Sequence, residues 1–65
     1  MKANRAYELL ASHRHVEIVE IDSGEVVLFW DTRPRDTGKL ARALRADLAQ
    51  FEADEFIAKW RRYEA

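Results

Sequence analysis

Three residues near the start of the chain carry side chains that bind transition metals: His13, His15 and Glu17, in "HRHVE". In an extended segment alternate residues share a side, so all three would face one way. A strong site needs a further histidine or a cysteine, but the chain has two histidines and no cysteine. The histidines are therefore read as solvated residues at a strand entrance, and no metal is expected.

"DTGK", residues 36–39, has the look of a phosphate-binding loop end. Such a loop needs a glycine five residues before the Gly-Lys pair and a Ser or Thr after it. Arg33 and Leu40 stand there instead, and Asp36 and Thr37 are better explained as helix caps. Asp31 and Lys39 flank the same segment as in a metal-dependent nuclease, but no further acid accompanies the lysine on a central strand. The only serines, Ser12 and Ser23, read as element ends, not as nucleophiles. Asp54 and Glu55 are adjacent, so on a helix they diverge by about 100° and cannot share a proton. Glu55 and Lys59, four apart, are ordinary helix support. Nothing here points to catalysis, and no cofactor is expected.

Two groups of residues suit binding. Arg35, Lys39, Arg42 and Arg45 recur at helical spacing and form a cationic stripe opposite Leu40, Leu44 and Leu48, which phosphates would meet. A solvated polar face, or ion pairing with the acidic hairpin, is the plainer account of the same stripe. Near the end, Trp60-Arg61-Arg62-Tyr63 mixes residue types enriched in interface hot spots, although Trp60 would also serve to close a core.

Sixty-five residues must position these groups, which limits the chain to one domain, residues 1–65. A domain this small buries only about 60% of its unfolded surface. Disulfides and thiolate zinc sites are excluded by the lack of cysteine, so packing and self-association must supply stability. At 48% hydrophobic and 35% charged residues the composition is that of a folded chain. No apolar run reaches the ~18–20 residues of a membrane span, which predicts a soluble cytoplasmic protein. The net charge of −1 gives no general attraction to nucleic acid or anionic lipid. Charge nevertheless comes in alternating blocks. Residues 16–31 carry five acids (Glu17, Glu20, Asp22, Glu25, Asp31) and no Lys or Arg, whereas 32–46 are basic.

The pattern of apolar residues places the elements. Ala3, Ala6, Tyr7 and Leu10 recur at helical spacing and predict a helix over 3–12. "HVEIVEID", residues 15–22, alternates as a strand, but its phase slips between Ile18 and Val19, the mark of a bulge or of cover on both faces. A tight turn at Ser23-Gly24 follows, and the second strand, 25–31, returns along the first. Arg33 is held extended by Pro34, and helix is predicted from about 38 to 50. On a wheel of 100° per residue, Leu40, Leu44, Leu48 and Phe51 fall within about 80°, while Phe56, Trp60 and Tyr63 lie about half a turn away. Two explanations remain open. Either the chain breaks near Glu52–Asp54, with Asp54 capping a second helix, or one long helix turns its second half to a partner.

The expected fold is α+β in the order α-β-β-α-α, an antiparallel hairpin packed on helices. Val26-Val27-Leu28-Phe29-Trp30 is apolar on both strand faces, and a lone hairpin on helices would leave one face open. The expected function is a non-enzymatic protein-interaction module, a homodimer or a small accessory subunit of a larger protein. Its expected interface is Val26, Leu28, Trp30, Phe56, Trp60 and Tyr63. The alternative is a small nucleic-acid-binding regulator using Arg35, Lys39, Arg42 and Arg45.

Overall fold

The computed structural model describes residues 1–64. A short helix α1 (Ala3–Ala6) leads into strands β1 (Tyr7–Ala11), β2 (His15–Glu20) and β3 (Val26–Asp31). Helices α2 (Pro34–Gln50) and α3 (Ala53–Trp60) follow, then a 3₁₀ turn, Arg61–Tyr63. The strands form one antiparallel sheet in the order β1-β2-β3, with the helices on one face, so the fold is α+β.

The expected helix over 3–12 is the main correction: it stops at Ala6, and Tyr7–Ala11 is a third strand. "YELLA" fits both periods, because Tyr7 and Leu9 pack towards the core while Glu8 and Leu10 are exposed. A helix of ten residues is marginal alone. The open edge of β2 offers five partners, from Tyr7↔Glu20 to Ala11↔Val16, and the backbone pairs there instead.

The hairpin of β2 and β3 forms as expected, with a register shift between Ile18 and Val19. Val19 faces Val26 and Ile18 faces Leu28, so the extra residue, Val27, belongs to β3. Gly24 takes φ 75°, open to glycine at little cost, as the chain turns back. The Gly24 N–H donates to Glu20 O at 2.8 Å.

Helix α2 begins earlier than expected. Pro34 occupies its first turn after an extended Arg33, a position where the missing N–H costs nothing. Asp36 and Thr37 thus lie inside the helix and are not its N-cap. Buried Thr37 donates through Oγ1 to the carbonyls of Arg33 (3.1 Å) or His13 (3.2 Å), which ties the helix start to the β1–β2 loop.

The chain breaks between α2 and α3. Phe51 and Glu52 are both extended, and Glu52, not Asp54, caps α3. The Glu52 carboxylate accepts from the Glu55 N–H while Glu55 Oε1 accepts from the Glu52 N–H at 3.1 Å, a reciprocal box with a glutamate in the usual Ser/Thr position. Glu52 also accepts from the N-terminal ammonium at 3.0 Å, and this bond chiefly holds its pKa below the ordinary carboxylate range. The break explains the half-turn of the apolar stripe. Helix α3 folds back, so Phe56 and Trp60 enter the same core as Leu44, Leu48, Val16, Ile18, Leu28 and Trp30.

Candidate protein-interaction site

Four of the six residues expected at an interface lie in this core. Leu28 and Phe56 are fully buried, Trp30 is 6% exposed and Trp60 9%. The correction has two causes: α3 returns to the sheet, and the Trp30 and Trp60 rings meet edge-on at 6.0 Å. The Trp30 Nε1–H is satisfied by the Tyr63 carbonyl at 2.8 Å, so this side chain is spent within the chain. Val26 and Tyr63 are exposed, at 49% and 62%.

What the sheet leaves open lies on the face away from the helices. Leu10, Glu17 and Phe29 stand side by side across the three strands, as do Glu8, Val19 and Val26. Leu10, Val26 and Phe29 are exposed there, and Ile21, 49% exposed, continues the apolar surface into the hairpin tip. The bulge accounts for Val26. Strand parity groups it with Leu28 and Trp30, but the extra residue Val27 shifts it to the outer face. Leu10 was hidden by the helical reading of its segment. Phe29 has the opposite parity to the buried Leu28 and Trp30, which is the signal that identifies it.

His15 Nε2 lies 3.6 Å from Glu17 Oε1, but His13 does not join them in a metal-ligating set. His15 shares a hydrogen bond with Ser12 Oγ at 2.8 Å and stacks on Phe29, with ring centroids 5.4 Å apart. Among the described residues no three His, Cys, Asp or Glu side chains gather at metal-binding distance. Arg35, Lys39, Arg42 and Arg45 are all exposed on α2, and none makes an ion pair with a described residue.

A second feature was not anticipated. An open cleft of about 600 Å³ runs along α3, lined by Tyr7, Asp54, Ile57, Ala58, Arg61 and Arg62. Tyr7, Ile57 and Ala58 make its floor apolar, and the charged residues mark its ends. Tyr7 reaches it only because β1 is a strand. Comparison with protein-family models, curated proteins and solved structures finds no match to this chain. No helix of the described residues is long and apolar enough to cross a membrane.

Proposed function

We propose that this chain is a non-enzymatic protein-interaction module that associates with a second copy of itself. The observation that carries the reading is the exposed apolar surface of Leu10, Ile21, Val26 and Phe29, on a sheet covered by helices on one face only. Surfaces of this kind mark interaction sites in small proteins. Half-exposed, each side chain has about 1 kcal/mol still to gain on full burial. Four from each copy therefore offer about 8 kcal/mol, the free energy of a micromolar complex before the costs of association. The same surface would serve an accessory subunit, with a larger protein in place of the second copy.

Sedimentation equilibrium from about 1 to 100 μM brackets that affinity. The expected result is a monomer–dimer equilibrium that weakens on Val26→Lys or Phe29→Lys, both surface positions. A monomer at every concentration would remove self-association.

A second reading, nucleic-acid binding, is favoured by the four exposed cations of α2, which form no ion pair with a described residue. It predicts a gel shift with arbitrary DNA or RNA at about 50 mM salt, lost in the Arg35→Ala/Lys39→Ala/Arg42→Ala variant. Each phosphate contact removed should flatten the salt dependence by about one unit of slope. An absent shift in the wild type at that salt would eliminate this reading.

A further inference from the structure

We infer that the cleft along α3 receives the β2–β3 hairpin tip of a second copy, in a two-fold dimer with two such contacts. The inference rests on the self-association proposed above and names the surfaces that meet. The cleft is open along its length, so it suits a protruding segment of a protein better than a small molecule, whose sites are concave and bury most of the ligand. Its floor, Tyr7 and Ile57 with Ala58, calls for an apolar occupant.

Charge selects the occupant. Arg61 and Arg62 are exposed, and among the described residues neither makes an ion pair or a side-chain hydrogen bond. The hairpin tip carries Glu20, Asp22 and Glu25 with no Lys or Arg, and between them it presents Ile21 and Val26, each 49% exposed. Glu20 is engaged by the Ser23 hydroxyl, which leaves Asp22 and Glu25 as the acids free to pair. Two half-exposed aliphatic side chains beside acids match an apolar floor with two guanidinium groups at one end. Asp54 adds direction. It lies seven residues before Arg61, about 10 Å along the helix, and repels an acidic tip from that end of the cleft.

The topology permits closure. Glu20 pairs with Tyr7, a residue of the cleft floor, and the Ile21 N–H donates to the Ala6 carbonyl at 3.0 Å. Tip and cleft therefore spring from the same end of the sheet. A two-fold axis passing beside them brings each tip to the other copy's cleft, and a self-complementary contact of this kind closes as a dimer.

Reversing the charges tests this directly. Asp22→Arg/Glu25→Arg gives a basic tip, and Arg61→Glu/Arg62→Glu gives an acidic cleft. The four positions are exposed, and their side chains hold no fold-defining bond. Sedimentation equilibrium is run on the wild type, on each variant alone and on their equimolar mixture. Each variant alone should dimerise about tenfold or more weakly than the wild type, because like charges meet at both contacts. The mixture should regain wild-type affinity as a heterodimer, since both of its contacts again join opposite charges. A wild-type dimer untouched by the reversals, or variants that the mixture fails to rescue, would overturn the tip-in-cleft contact while leaving self-association standing. A wild type that stays monomeric would overturn both.

Discussion

Phe56→Ala is expected to destabilise the fold rather than to loosen an interface. Phe56 is fully buried, stacked on Tyr7 at 6.3 Å and tilted against Trp60 at 6.5 Å. Its truncation removes contacts with strand β1 and with the end of α3 together and leaves a cavity, a change that costs about 3–5 kcal/mol. At 0.05–0.15 kcal/mol per residue, a chain of this length has roughly 3–10 kcal/mol of total stability. The substitution therefore consumes a large share of it, and the melting temperature should fall by roughly 15 °C or more. Urea and thermal melts followed by circular dichroism measure this. A cooperative transition within about 1 kcal/mol of the wild type would show that Phe56 is not a core residue.

That Phe56 passes from expected interface to core shows which physical information a sequence carries. The hairpin was legible because alternation, a glycine turn and an apolar run are all local. The bulge was legible as a slip of phase in β2, but which strand holds the extra residue depends on pairing, and it is β3. The rotation of the apolar stripe after Phe51 correctly indicated either a break or a partner. What decided between them was a capping box built from Glu52 and Glu55, whose usual sequence signature begins with Ser or Thr.

Strand β1 was not legible. Its helical and alternating patterns are equally good, and only the vacant edge of β2 chooses between them. With β1 read as a helix, a two-stranded hairpin is short of cover, which assigns the surplus to Val26, Leu28, Trp30, Phe56, Trp60 and Tyr63. Of these only Val26 and Tyr63 are exposed, and on the open face of the sheet Val26 is accompanied by Leu10, Ile21 and Phe29. The question posed by the five apolar residues of β3 thus has a divided answer. Leu28 and Trp30 are covered by the chain's own helices, whereas Val26 and Phe29 stay exposed.

The second large effect is expected at Asp47, the polar link between α2 and α3. Its Oδ2 accepts from the Trp60 Nε1–H at 2.8 Å and from Lys59 Nζ at 2.7 Å. Lys59 in turn lies 4.9 Å from the centre of the Phe51 ring and 5.2 Å from that of Trp60, so the ammonium is held between the carboxylate and two aromatic faces. Asp47→Ala deprives a buried indole of its acceptor, at a cost of about 1–3 kcal/mol. It also loosens the helix pair whose closure places Trp60 against Trp30. Asp47→Asn keeps an oxygen for the indole and should cost less, because only the charge is lost. Lys59 is the more exposed partner, so Lys59→Met should change stability by less than about 1 kcal/mol. Urea denaturation of these variants, with Trp60→Phe completing a double-mutant cycle, isolates the indole bond, and a coupling of about 1 kcal/mol is expected. If Asp47→Ala stays within about 0.5 kcal/mol of the wild type, the range of an ordinary surface substitution, the carboxylate does not bind the two helices together.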